Sequence, residues 1–106
     1  GCYVGALSVL SPYCRLGDHV LINQRVAVGH DAVLEDYSQA CPGAQLNGWV
    51  QLGKGAFVGS NASVHQRRKV GAWSTAGANS QVIRTVPPYT SVIGVPARVM
   101  MQTGEG

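Results

Sequence analysis

Aliphatic residues recur every six positions along most of this chain. Val4, Leu10, Leu16, Ile22, Val28, Leu34, Ala40, Leu46, Leu52, Val58, Val64, Val70, Ala76 and Val82 stand six apart without a slip. Gly follows seven of them, at Gly5, Gly17, Gly29, Gly53, Gly59, Gly71 and Gly77. The place two before the aliphatic residue is mostly small, as at Ser8, Cys14, Ala32, Ser38, Ala44, Ala56, Ala62, Ser74 and Ser80. A period of six fits neither an amphipathic helix nor plain strand alternation. It does fit a parallel β-helix assembled from hexapeptides. Each hexad then predicts one short strand and one corner, and three hexads make a triangular coil of about 18 residues. The aliphatic side chain points inward and stacks on its equivalent in the next coil, one strand spacing of about 4.8 Å along the axis. Small residues are expected in the tight corners, and Gly there for its backbone freedom. Pairing with the coils above and below satisfies the backbone groups of each strand.

Departures from the pattern predict where the coil changes. Arg68 breaks the small-residue column, so the corner over residues 64–69 is expected to bulge outward. Pro87-Pro88 ends the repeat, because proline cannot donate to a ladder. Residues 91–100 read as a final short strand and loop, and the polar tail over 102–106 is expected to fray. The organisation is therefore an all-β chain: a hexapeptide-repeat β-helix over 1–86, and a C-terminal strand, loop and tail over 87–106. The sequence opens inside the repeat, and a bare coil end exposes strand edges. Either an N-terminal part or a partner is expected to cover it.

Composition narrows the picture. At 106 residues the chain is one domain. Only 12% of residues are charged, which suits a repeat surface packed against other copies of itself. Tyr13, Tyr37, Trp49 and Trp73 share the fourth place of their hexads and are expected at a subunit interface. A net charge of +3, with Arg67-Arg68-Lys69 as the basic run, is too little for a nucleic-acid footprint. That run is either a solvated corner or a phosphate contact. No secretory signal, membrane-spanning run or lipidation motif is evident, and a cytoplasmic location is expected. Cys2, Cys14 and Cys41 lack metal-site spacing.

The densest polar chemistry lies between residues 28 and 51, around Gly29-His30-Asp31. Gly48 follows His30 by 18 residues and is expected directly beneath it. A Gly there leaves space beside the imidazole, either for a ligand groove or as plain corner geometry. His19 and His65 read as surface residues.

The repeat, the Gly29-His30-Asp31 step and the ending Val86-Pro87-Pro88-Tyr89-Thr90-Ser91-Val92-Ile93-Gly94-Val95-Pro96-Ala97-Arg98 resemble the hexapeptide-repeat acyltransferases. The resemblance runs from about Ile22 to Met100 and points to the group holding sialic acid O-acetyltransferases and bacterial UDP-amino-sugar N-acetyltransferases. It implies a left-handed parallel β-helix, a homotrimer with sites between adjacent subunits, and acetyl-CoA as co-substrate lying in the groove between two β-helices. It implies acyl transfer to an amine or hydroxyl of a sugar or nucleotide sugar.

By the same resemblance, His30 matches the general base, and an imidazole suits that task because it titrates near neutrality. Asp31 matches the acidic neighbour that stabilises the imidazolium. Asn23 matches a polar position on the acceptor side. Gly48, Ser60 and Ala78 fall at cofactor-lining positions, and Arg84 and Arg98 near the nucleotide end of CoA. Gln39 stands where several relatives have a second histidine near the thioester. The N-terminal α/β domain of that group has no counterpart in this sequence, so a smaller acceptor is an alternative. The zinc carbonic anhydrases that share the fold need histidines paired at close spacing, which His19, His30 and His65 do not provide. The non-enzymatic alternative is a trimeric scaffold, or a truncated remnant that keeps the fold.

Overall fold

A computed structural model describes residues 1–102, and the expected frayed tail beyond Gln102 lies outside the described residues. The chain winds as a β-solenoid with three parallel faces, and each face gains one strand per coil. The first face stacks β1 (Tyr3–Val4), β4 (Leu21–Ile22), β7 (Gln39–Ala40), β10 (Phe57–Val58) and β13 (Thr75–Ala76). The second stacks β2 (Val9–Leu10), β5 (Ala27–Val28), β8 (Gln45–Leu46), β11 (Ser63–Val64) and β14 (Gln81–Val82). The third stacks β3 (Arg15–Leu16), β6 (Val33–Leu34), β9 (Gln51–Leu52) and β12 (Lys69–Val70). Partners in register stand 18 residues apart, as in Val28↔Leu46 and Val64↔Val82.

The inward aliphatic column forms the core. From Ile22 to Val82 every member is buried, and the corner residues Val20, Val26, Ala32, Ala44, Val50, Ala56 and Ala62 fill the space behind it. Burying one Val or Leu side chain contributes roughly 1.5–3 kcal/mol, so stability accumulates coil by coil. At the N-terminal end the column meets solvent: Val4 and Leu10 remain exposed.

Each corner is a β-turn. After β5, the Ala32 N–H donates to the Gly29 carbonyl, and after β8 the Val50 N–H donates to the Asn47 carbonyl at 3.2 Å. The third residue of the turn is left-handed, with φ of 60° at Asp31, 58° at Trp49 and 63° at Arg67. The glycines that follow the aliphatic residues are thus not there for backbone freedom, contrary to expectation. They permit close approach instead. A Cβ on Gly29 would lie 2.6 Å from the Asn47 carbonyl carbon and the Gly48 nitrogen of the next coil.

Two further expectations are corrected. The corner at Arg68 does not bulge. The Arg68 N–H closes the ordinary turn on the His65 carbonyl at 3.2 Å, and β12 keeps its register with β9. The long side chain leaves the corner instead, and its Nε donates to the Ile83 carbonyl at 2.9 Å. The C-terminal segment holds two strands rather than one. β15 (Thr90–Ile93) continues the first face beside β13, and β16 (Arg98–Gln102) pairs antiparallel with it. Ser74 secures this end: its hydroxyl donates to the Pro87 carbonyl and accepts the Thr90 N–H.

Candidate functional site

The second face ends at the corner that carries His30. Register stacks Pro12, His30, Gly48, Gln66 and Arg84 in one column along this edge. Three features fix the imidazole. Its Nδ1 stands 3.1 Å from Asp31 Oδ2, so Nδ1–H donates to the carboxylate and the lone pair resides on Nε2. Nε2 faces Gly48, where a Cβ would come within 2.8 Å of it. The Trp49 ring packs nearly perpendicular to it, with centroids 4.4 Å apart and planes at 85°. The imidazole is 51% exposed, so it is held yet reachable. His30–Asp31 is the one contact between a basic and an acidic side chain within 4 Å among the described residues.

A groove of about 670 Å³ opens beside this edge, lined by His30, Asn47, Gly48, His65 and Gln66 and by the outward side of β5 and β8. The Asn47 amide is committed to the Val64 carbonyl at 2.8 Å, which stiffens the floor. His65 is exposed, as expected of a surface residue, and it also lines the same groove as His30. Counting would have found it, because Ser11, Gly29, Asn47 and His65 share one column in steps of 18.

The other candidate residues lie apart. Arg84 occupies the His30 column three coils on, and it shares a C-terminal pocket of about 280 Å³ with Arg98. Asn23, Ser60 and Ala78 sit at the corner where the first face passes into the second, along the opposite edge of the second face. Gln39 points outward from the first face. The chain therefore brings His30, Asp31 and Gly48 into contact, and leaves Asn23, Gln39, Ser60 and Ala78 elsewhere. Of the four aromatic residues expected at an interface, all are exposed, but three have contacts within the chain. Trp49 meets His30, Tyr37 stacks on His19 at 5.2 Å, and Trp73 lies over Gly55.

Burial pushes the Cys41 thiol up, away from the reactive thiolate. Among the described residues no three His, Cys, Asp or Glu side chains are grouped to hold one metal ion, and no helix is long and apolar enough to cross a membrane.

Known proteins resemble this chain in sequence and in fold. The acyl-[acyl-carrier-protein]–UDP-N-acetylglucosamine O-acyltransferase of Thiobacillus denitrificans is 35% identical over 92 residues, 87% of this chain and 36% of that protein. Among solved structures, PerB from Caulobacter crescentus in complex with CoA and GDP-perosamine is 29% identical, with a TM-score of 0.73 over 93% of this chain and 58% of that one. The serine acetyltransferase of Neisseria gonorrhoeae is 28% identical, with a TM-score of 0.82 over 89% of this chain and 40% of that one. The chain is thus similar in sequence to an acyltransferase and in fold to acetyltransferases of the hexapeptide-repeat kind. No family model matches it. It spans little more than a third of the length of the curated relatives it matches.

Proposed function

We propose that this chain transfers an acetyl group from acetyl-CoA to an amine or hydroxyl of a sugar or nucleotide sugar, with His30 as the general base. The observation that carries this reading is the imidazole itself. Asp31 holds Nδ1–H, and the free Nε2 lone pair opens over the gap at Gly48. A base must reach the proton it removes, and this atom is the accessible one. The acceptor O–H or N–H donates to Nε2 while its heteroatom attacks the thioester carbonyl. The new C–O or C–N bond forms, the C–S bond breaks, and the CoA thiolate leaves with the proton that His30 carried. The Asp31 carboxylate stabilises the imidazolium between these two transfers.

Gly48 then lines the cofactor groove, and Arg84 and Arg98 supply positive charge toward the nucleotide end of CoA. Asn23 on the acceptor side and Ser60 and Ala78 on the cofactor side lie along the other edge of the same face, and Gln39 meets the cofactor from an adjacent subunit of a homotrimer. The CoA bound by PerB, whose fold this chain shares, supports the donor. A cytoplasmic setting agrees with the free thiols of Cys2, Cys14 and Cys41.

A second reading changes the donor to an acylated acyl carrier protein, in keeping with the activity named for the curated relatives. Acetyl-CoA and CoA titrations by calorimetry on the wild-type chain and His30→Ala separate these readings, together with transfer assays using acetyl-CoA and acyl carrier protein. Equal acetyl-CoA binding by both chains, with turnover lost in His30→Ala, supports the first. Transfer from the carrier protein alone selects the second. A folded oligomer that neither binds nor turns over either donor leaves a scaffold.

A further inference from the structure

We infer that Trp49 is a positioning residue for His30 and that Arg67 keeps Trp49 in place. The inference rests on the reading of His30 as the base. Three successive coils contribute one residue each. The Trp49 N–H donates to the His30 carbonyl at 3.0 Å, and the Arg67 N–H donates to the Gly48 carbonyl at 2.9 Å. The side chains continue the stack: the Trp49 ring meets the imidazole at 4.4 Å, and the Arg67 guanidinium carbon lies 4.1 Å from the centre of the Trp49 ring.

A single hydrogen bond to Asp31 fixes one atom of an exposed imidazole and leaves its plane free to swing. The perpendicular indole removes that freedom, because edge-to-face packing favours one interplanar angle. It thereby sets the direction of the Nε2 lone pair, on which proton removal depends. The Trp49 side chain is 42% exposed, so it adds little to the core, and its backbone is left-handed, a conformation that suits Gly or Asn better. Arg67 has no carboxylate partner among the described residues. Its guanidinium is held by the indole face instead, as a cation over an aromatic ring.

The test uses the 106-residue chain and the variants Trp49→Ala, Trp49→Phe, Arg67→Ala and the double alanine variant. The first readout is the nitrogen NMR spectrum of the His30 ring, which reports tautomer and motion whether or not the chain turns over any substrate. Trp49→Ala is expected to shift and broaden the His30 ring signals as the plane is freed, and Trp49→Phe to keep them. With an acceptor in hand, Trp49→Ala lowers kcat about tenfold at unchanged KM for acetyl-CoA, and Phe restores it to within about twofold. Arg67→Ala has a smaller effect of the same kind, and the double variant loses no more than Trp49→Ala alone, since Arg67 acts through the indole. Melting curves confirm that each variant folds. An unchanged His30 spectrum in Trp49→Ala overturns the inference whatever the activity, and additive losses in the double variant overturn the role given to Arg67. A wild-type chain without turnover removes the acyltransferase reading and leaves the spectrum to decide the positioning.

Discussion

A methyl group on Gly48 should disable the base while leaving the solenoid standing. An added Cβ lies 2.8 Å from His30 Nε2 and 2.9 Å from Cε1, and ordinary contact begins near 3.4 Å. The imidazole must therefore retreat by about 0.6 Å or turn. It can do so cheaply, because the crowded atoms belong to one half-exposed side chain and not to the backbone. The φ of Gly48 lies outside the left-handed region, so alanine brings no strain of its own, and it restricts the unfolded chain. The net change in folding free energy should stay within about 1 kcal/mol. Chemistry is less forgiving. A displacement near 1 Å costs on the order of 100-fold, so Gly48→Ala should lower kcat by about 10- to 100-fold, or ~1.4–2.7 kcal/mol in the barrier. Gly29→Ala makes the control. Its Cβ meets backbone of the next coil at 2.6 Å, which cannot move without opening the ladder, and it should cost about 1–3 kcal/mol or more in stability. Urea unfolding and steady-state acetyl transfer on both variants read the two quantities separately. Wild-type kcat in Gly48→Ala, or equal loss of stability in the two variants, would refute the reasoning.

Other expectations follow from burial. Ser38 Oγ is buried with no hydrogen-bond partner, whereas Ser74 Oγ has two. Ser38→Ala should therefore raise the urea midpoint by about 1 kcal/mol of stability, and Ser74→Ala should lower it by about 1–3 kcal/mol. Leu46→Ala, at 1% exposure in mid-column, should cost about 2–5 kcal/mol in denaturant titrations. In the 106-residue chain Leu10→Ala, at 39% exposure, should cost well under half of that, and equal losses would mean that something covers the first coil. The part-buried Cys41 thiol, pushed up by burial, should react with iodoacetamide more slowly at neutral pH than the exposed Cys2, as mass spectrometry of the labelled peptides would read.

The fold was legible because one rule generates it. A six-residue step and an 18-residue return assign every inward residue from Ile22 to Val82, and the same arithmetic sets Gly48 under His30. What escaped the sequence depends on side-chain direction. Arg68 looked like a fault in the small-residue column, but a flexible side chain can leave a corner that its backbone keeps. Trp49 looked like one of four interface aromatics, and its nearness to His30 follows only from where its ring turns. His65 was legible by counting, yet in a lone-histidine context nothing marked it as part of a groove.

The corner geometry also constrains how a site can be assembled. His30, Gly48 and Arg84 run along one edge of the second face, and Asn23, Ser60 and Ala78 run along its other edge. A ligand lying on that face can reach both edges of one protomer. Gln39 cannot join them, because its side chain points out of the first face, beyond the corner that carries Asn23. A donor that touches both His30 and Gln39 must therefore lie between two chains, with one chain presenting the His30 edge and the next presenting its first face. The solenoid makes such an arrangement natural: its faces are flat, its columns are straight, and a repeat of one coil spacing runs along both sides of the gap. The proposed homotrimer and the proposed role of Gln39 thus depend on each other. A chain that binds acetyl-CoA as a monomer, with Gln39→Ala without effect, would leave His30 a groove built from one protomer alone.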